Sequence, residues 1–375
     1  MVTKSNAKNL VVVQLSGGND ALNTIIPYGD ELYYDNRPFV NVPQDKVLPI
    51  DNYIGFNPSM APLKNLYEKG NVAIINGIGY AEPNRSHFRA MDIWHTGETK
   101  SVGTEGWLGR AIRELDPRGE NVLTGVNFGR GLPRALFAKD VPVASVGDLN
   151  TYGLFPDIED DESRNIALNA FSQMYGGIGK DTIANFFSQT GMDAMKGADI
   201  LRRAPKMYSS TVEYANTDIS QSLKSIAQVM FADIGTRVFY AQHGSFDTHS
   251  GEIASHQKLW SELSIALSDF MSDLKEHGKD KDTIIFLFSE FGRRIKDNGA
   301  GTDHGSGGIA FVIGGDVNGG LYGRYPSLNE KDQVEGDLAF NNDFRTTYST
   351  IAEKWLGVDP ESVSNGNFGM INFLN

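Results

Sequence analysis

The stretch RVFYAQHGSFDTHSGEIASH, residues 237–256, is the best guide to the fold. It begins as an apolar strand, passes through a polar turn that contains Asp247 and His249, and continues into an amphipathic helix. Carboxylate and imidazole groups placed directly after a buried strand are typical of a site at the edge of a sheet.

Two later stretches have the same character. TIIFLFSEFGRR, residues 283–294, is a strand followed at once by Glu290. GAGTDHGSGGIAFVIGG, residues 299–315, places Asp303 and His304 in a glycine-rich loop that leads into a further strand. The glycines allow the backbone of that loop to approach a ligand closely.

Composition narrows the possible functions. The chain has 375 residues, of which 40% are apolar, so it can bury a sizeable core. It contains no cysteine, which excludes disulfides, thiolate metal sites and cysteine nucleophiles. The formal net charge of −13 argues against general binding to nucleic acids or anionic membranes, but leaves a small anionic substrate open, because a local cation can reverse the field inside a cleft.

Targeting signals are not evident. No apolar run approaches the ~20 residues that a membrane-spanning helix needs, so no membrane insertion is expected. The residues before the first strand lack a twin arginine, an apolar segment and a cleavage site, so no secretory signal is expected in this sequence. Localisation is left open.

Two earlier strands also end in polar residues. NLVVVQLSG, residues 9–17, is followed by Asp20, and NVAIINGIGY, residues 71–80, is followed by Ser86 and His87 at the start of a helix. Asp20 is a candidate metal ligand or a cap of a turn or helix. Ser86 is a candidate nucleophile or a simple N-cap.

Buried strands that alternate with helices predict an α/β fold with a mostly parallel central sheet between layers of helices. The segment of about residues 160–235 has helical periodicity throughout and predicts a helical insertion or flank. The whole chain, residues 1–375, is interpreted as one domain.

In such a sheet, ligands bind beyond the carboxyl ends of the strands. We therefore expect the strand-end residues to meet and to bind a divalent metal. Without thiolates, Zn²⁺ or Mn²⁺ is the first choice, with Ca²⁺ or Mg²⁺ as alternatives. The candidate metal ligands are Asp20, Asp247, His249, Glu290, Asp303 and His304.

Basic residues near these segments suggest an anionic substrate. Arg85, Arg89, Arg293 and Arg294 lie beside the candidate site and could bind phosphate or sulfate oxygens. His256 is a candidate for a supporting or a core residue. The predicted catalytic residues are Ser86, His87 and Arg89.

Several motifs together resemble the bacterial family called domain of unknown function 1501, a branch of the alkaline phosphatase and sulfatase superfamily. The resemblance spans about residues 9–357. The motifs that carry it are LSGGNDALNTIIPYGD, NRSHFRAMDIWHTGE, GWLGR, FDTHSGE with SHQKLW, FSEFGRR, GTDHGSGG and NDFRTTYSTIAEKWLG.

The resemblance implies an alkaline phosphatase-like fold and a metal-dependent hydrolase of phosphate or sulfate esters. By order it implies that Ser86 is the nucleophile and that Asp20, Asp247, His249, Glu290 and His304 bind metal. Phe291 stands where the superfamily commonly has a histidine, which weakens the expectation of a second metal. Ser86 lies outside the motif for formylglycine formation, so a formylglycine sulfatase is not expected.

Two other functions stay open. One is a binding protein that keeps the fold and binds a metal or ligand without turnover. The other is a structural role, in which the polar cluster is a hydrogen-bonded network.

Overall fold

The strand β1, Asn9–Leu15, lies at the middle of the central sheet in a computed structural model of the protein. The structure describes residues 7–149, 151–152, 158, 160–176 and 182–375. Every residue of β1 is buried, because the strand has neighbours on both edges and side chains packed over both faces. This explains the near-continuous apolar run in its sequence.

The described strands form one large and one small sheet. The strands after β1 are β2 (Ile25–Ile26), β3 (Leu48–Pro49), β4 (Gly55–Phe56), β5 (Val72–Gly79), β6 (Gly125–Phe128), β7 (Ala144–Val146), β8 (Val238–His243), β9 (Thr283–Phe288), β10 (Gly308–Gly314), β11 (Gly320–Tyr322) and β12 (Asn342–Asp343). The large sheet has the order β11-β5-β10-β9-β1-β8-β6-β7, with β12 paired to β5. Strands β2, β4 and β3 form the small sheet.

Helices cover both faces of the large sheet. They are α1 (Ala21–Thr24), α2 (Glu31–Asn36), α3 (Ala61–Glu68), α4 (His87–Thr96), α5 (Trp107–Leu115), α6 (Asp161–Gly176), α7 (Thr182–Met207), α8 (Asp218–Phe231), α9 (Glu252–Glu276), α10 (Phe344–Thr350) and α11 (Pro360–Ser364). Among the described residues, no helix is long and apolar enough to cross a bilayer.

The side chains of β1 alternate between two hydrophobic cores. Val11 and Val13 face a core that contains Trp260 of α9, whereas Leu10 and Val12 face a second core that contains Trp107 and Tyr348. A strand alternates its side chains between faces, so a central strand with consecutive apolar residues must be covered on both sides. The predicted α/β fold, a mostly parallel sheet between helical layers, is confirmed.

One strand of the inner sheet runs against its neighbours. β10 pairs antiparallel with both β5 and β9, while β9, β1 and β8 are parallel. No α-helix lies between β9 and β10, so the chain turns back without the crossover that a parallel connection requires. The beginning of β10 therefore lies at the same edge as the ends of the parallel strands.

The segment of about residues 160–235 contains the helices α6, α7 and α8. Residues 177–181, between α6 and α7, lie outside the described part of the chain. The interpretation of this segment as an insertion within a single domain stays a prediction.

A buried ion pair lies just beyond the end of β1. Asp20 is the N-cap of α1 and accepts a hydrogen bond from the backbone N–H of Leu22. Its two carboxylate oxygens also accept hydrogen bonds from Nη1 and Nη2 of Arg37, and neither side chain is exposed to solvent. Burial alone would raise the pKa of Asp20, but Arg37 lowers it to about 2.

Glu252, at the start of α9, completes this buried group. It accepts hydrogen bonds from Asn23 Nδ2 (3.1 Å) and Thr302 Oγ1 (2.6 Å). Burial, followed by the charge of Asp20, raises the pKa of Glu252 to about 9. Glu252 is therefore a neutral acid at pH 7, and the negative charge of Asp20 alone balances the positive charge of Arg37.

Stability should fall as Glu252 is forced to ionise. Between its ordinary pKa of 4.5 and about 9, the folded protein binds a proton that the unfolded chain has released. The free energy of unfolding should therefore decrease with rising pH in this window, by up to about 1.4 kcal/mol per pH unit from this group. Glu252→Gln, which keeps the shape and cannot ionise, should flatten that decrease.

Urea denaturation of the wild type and Glu252→Gln between pH 5 and pH 9 tests this prediction. Glu353→Gln replaces a partly exposed glutamate and is the control. Equal pH dependence in the wild type and Glu252→Gln would contradict it.

Candidate metal centre

Four strand ends deliver side chains to one point. His87 is the first residue of α4, after β5, and Asp247 and His249 lie in the loop between β8 and α9. Glu290 follows β9, and His304 precedes β10. Because β10 is antiparallel, its leading loop reaches the same edge as the ends of β5, β8 and β9.

The ε-nitrogens of three histidines converge on one carboxylate. His304 Nε2 lies 3.0 Å from His87 Nε2 and 3.0 Å from His249 Nε2. Oδ1 of Asp247 lies 3.1 Å from Nε2 of both His304 and His249. Oδ2 of Asp247 lies 3.4 Å from His87 Nε2.

The δ-nitrogens of the same rings point away from this cluster and each meets an acceptor. His87 Nδ1 lies 2.8 Å from Glu290 Oε1, and His249 Nδ1 lies 2.9 Å from Asp303 Oδ1. His304 Nδ1 lies 2.8 Å from the backbone carbonyl oxygen of Arg85. An ionised carboxylate or a carbonyl can only accept, so each ring carries a proton on Nδ1 and donates it outward.

This assignment leaves the inward nitrogens of the neutral rings without protons. Their lone pairs then face each other at 3.0 Å with no hydrogen between them. A cation between them removes the repulsion and uses each lone pair as a ligand. Two imidazole nitrogens on one tetrahedral Zn²⁺ lie about 3.3 Å apart, so the residues present fit a divalent metal. A subset with mutual separations within 4.8 Å consists of His87, Asp247 and His304.

Arg293 fixes Asp247 in this position. Its guanidinium is buried and donates to the carboxylate of Asp247 (2.6 Å) and to the carbonyl oxygens of Gly17, Gly18 and Phe246. Gly17, with φ of +119°, lets the chain after β1 lie against the loop after β8. Any other residue would place a Cβ 2.3 Å from the backbone nitrogen of Asp247. Arg293 therefore holds protein groups and is not free to bind a substrate anion.

Phe291 supports the cluster from one side. Its ring is buried, and its centre lies 4.9 Å from those of both His87 and His304. A phenyl ring offers no lone pair to a metal. At the position where the resemblance predicts a further imidazole, the chain has a packing residue, which favours one metal over two.

Charge around the cluster shifts several pKa values. The hydrogen bond to Glu290 raises the pKa of His87. Burial opposes ionisation of Asp247, but Arg293 overcomes it and the pKa of that carboxyl is lowered. The hydrogen bond from His249 lowers the pKa of Asp303. Both carboxylates are therefore ionised at neutral pH.

Glu290 and Asp303, which the sequence suggested as metal ligands, lie behind the histidines and not among the converging ε-nitrogens. Each accepts from the Nδ1 of a histidine, so each orients a ligand from behind. Glu290 is buried and also accepts from the backbone N–H of Gly17 (2.9 Å). Carboxylates in this position fix the tautomer and the orientation of a histidine ligand and raise its basicity.

Asp20 is not brought to the cluster. Its oxygens are occupied by Arg37 and by the N–H of Leu22. As placed, it is a helix cap and an ion-pair partner, and its role as a metal ligand stays a prediction. The alternative left open by the sequence, a cap, describes its contacts. His256, also buried, lies 3.3 Å from Asn19 Oδ1 in the same internal network.

Arg89 is also directed elsewhere. It donates to Asp92 and to the backbone carbonyls of Glu98, Thr99 and Ser101, and so fixes the loop after α4. The catalytic role of Arg89 stays a prediction.

Ser86 is exposed and lies beside His87. It occupies the N-cap position of α4 without a side-chain capping bond, while its backbone N–H donates to Asn84 Oδ1 (2.9 Å). Its hydroxyl is therefore not committed to the cap. The role of Ser86 as nucleophile stays a prediction.

Beside the cluster lies an open cleft of about 510 Å³. Its lining includes His87, Asp247 and Glu290, together with residues on which sequence reasoning placed no role: Ser16, Gly17, Phe88, Met91, Asp92, His95 and Arg134. The helical spacing of Phe88, Met91, Asp92 and His95 was the available signal, since these residues share one face of α4.

Comparisons with known proteins found one family model and distant structural similarities. No curated protein sequence matches the chain at a significant level. Among solved structures, the PsFucS1 sulfatase from Pseudoalteromonas sp. is 14% identical with a TM-score of 0.44, over 98% of this chain and 71% of the sulfatase. An alkaline phosphatase superfamily protein from Vibrio parahaemolyticus is 10% identical with a TM-score of 0.43, over 95% of this chain and 69% of that protein.

The lipoteichoic acid synthase LtaP from Listeria monocytogenes is 12% identical with a TM-score of 0.38, over 98% of this chain and 74% of the synthase. Likenesses this distant carry no information about the reaction. The model of the protein family of unknown function DUF1501 matches residues 83–369, which include the histidine cluster and most of the sheet. The chain belongs to the DUF1501 family.

Proposed function

We propose that this protein is a metal-dependent hydrolase of phosphate or sulfate esters with a single divalent ion at the histidine cluster. The supporting observation is that His87, His249 and His304 each direct Nε2 toward Asp247 while an acceptor lies within hydrogen-bonding distance of Nδ1. Imidazole and carboxylate without thiolate favour Zn²⁺ or Mn²⁺.

A divalent ion at this point would withdraw charge from an ester oxygen and lower the pKa of a nearby hydroxyl group. The protein's own residues prepare the site for it. Arg293 keeps Asp247 ionised and turned toward the histidines, and Glu290 holds the ring of His87. Phe291 prevents the rings of His87 and His304 from tilting away.

Ser86 is the proposed nucleophile or ester-binding hydroxyl. It precedes the ligand His87 directly, so the metal and the hydroxyl are fixed by the same turn of chain. The first backbone N–H groups of α4 have no partners within the helix and favour negative charge at this end. The adjacent cleft, which His87 lines, would give an ester access to this end of α4.

A second candidate function is a metal-binding protein without turnover. The favouring observation is that His249 Nε2 lies as close to His304 Nε2 as His87 Nε2 does. If all three histidines and Asp247 bind the ion, the shell of a tetrahedral metal is complete, as in structural zinc sites. If one of them stays outside the shell, a position opens for the ester.

Removing one inward nitrogen should release the metal. We expect about one Zn²⁺ per wild-type chain, and at least a 100-fold weaker affinity in His304→Ala. Glu290→Gln should weaken zinc affinity about 10- to 100-fold, because it replaces the anionic acceptor that orients His87 with a weaker neutral one. Competition with a chromophoric chelator measures both constants.

His277→Ala, which removes an imidazole outside the cluster, is the control for that measurement. A wild type that binds no divalent ion, or a His304→Ala variant that binds zinc as tightly as the wild type, would contradict the proposed centre.

Hydrolysis should require both the metal and Ser86. On a panel of phosphate monoesters, diesters and sulfate esters, chelation should abolish activity and metal restore it. Ser86→Ala should lower kcat at least 100-fold with unchanged zinc content if the hydroxyl attacks the ester. Zinc bound at full occupancy with no hydrolysis on any ester would support the binding protein, and activity that survives both changes would contradict the proposal.

A further inference from the structure

The wall of the cleft next to the histidine cluster has the form of a binding surface for a ring. Phe88 follows the proposed ligand His87. Its side chain is 91% exposed, the highest value for a large apolar residue in the described part of the chain. A phenyl ring held in water next to the histidine cluster offers apolar area that a ligand can cover favourably.

The face of α4 places this ring inside the cleft. Four residues of α4 line the cleft: Phe88, and the residues three, four and seven positions after it, Met91, Asp92 and His95. Residues at this spacing project from one side of a helix. The phenyl ring thus belongs to a continuous wall that starts at the histidine cluster and includes the flexible side chain of Met91.

The polar groups of this wall are already paired. Asp92 binds Arg89 and Arg134 by ion pairs. His95 is buried and accepts or donates only within the protein, at 2.9 Å from Gln14 Oε1, and burial lowers its pKa to about 3. The wall therefore offers little net charge, and its free recognition element is the apolar ring.

We propose, building on the proposed function, that the preferred substrates are esters whose alcohol part is a ring, bound with one ring face against Phe88. The ester oxygens lie at the histidine cluster and the ring extends along α4 over Phe88 and Met91. Aromatic rings stack on phenyl groups, and the C–H face of a saturated ring packs on them. Straight-chain alcohols would gain much less from this surface.

Binding of phosphonates to the zinc-loaded protein tests this proposal without turnover. Phenylphosphonate and cyclohexylphosphonate are compared with methylphosphonate by calorimetry. The wild type should prefer at least one ring compound to methylphosphonate, and which one it prefers distinguishes aromatic from saturated rings. Phe88→Ala should reduce that preference roughly 2- to 12-fold, with unchanged zinc content and unchanged methylphosphonate affinity. Phe88→Trp should retain it.

Phe39→Ala is the matched control, since Phe39 is a 65% exposed phenylalanine that does not line the cleft. The proposal is overturned if Phe88→Ala keeps the ring preference, if the wild type shows none, or if no phosphonate binds. Hydrolysis of a phenyl ester and of a small alkyl ester in the same preparation separates the two proposals: turnover without ring preference overturns only this one, and ring preference in binding without turnover of either ester overturns only the hydrolase.

Discussion

The candidate site depends on one buried cation, Arg293. Its guanidinium is out of solvent and satisfies its donors with the carbonyl oxygens of Gly17, Gly18, Phe246 and Thr302 and with the carboxylate of Asp247. A buried charge is tolerated only when its hydrogen bonds are made. One side chain therefore holds together the loops after β1 and β8 and the loop before β10. This fixes the position of the candidate ligands in the last two loops.

Two buried polar groups at this edge have opposite character. Arg37 donates to Asp20 and to backbone carbonyls, and Glu252 accepts from Asn23 and Thr302, so this group stabilises the loops without offering a free ligand. The histidine cluster is different, because each outward nitrogen has its own acceptor whereas the three inward nitrogens share the single carboxylate of Asp247. That asymmetry separates a structural network from a site prepared for a ligand, and it argues against the purely structural role.

Much of this arrangement could be predicted from the sequence. Polar residues after buried strands predicted the sheet edge where His87, Asp247, His249 and His304 meet, because the ends of parallel strands share one edge. The diversion of Asp20 could not be predicted, since Arg37 lies in a proline-rich stretch with no pattern to indicate its burial. The sequence also could not distinguish Asp247, which faces Nε2 of the histidines, from Glu290 and Asp303, which face Nδ1. That difference depends on the orientation of each imidazole ring.

The central claim is that one metal ion is bound by these imidazoles. X-ray absorption spectroscopy of the zinc-loaded protein tests it most directly. The account predicts a first shell of nitrogen and oxygen at about 2.0–2.1 Å with scattering from two or three imidazole rings. A second metal at about 3.5–4 Å, or a first shell without imidazole, would contradict it.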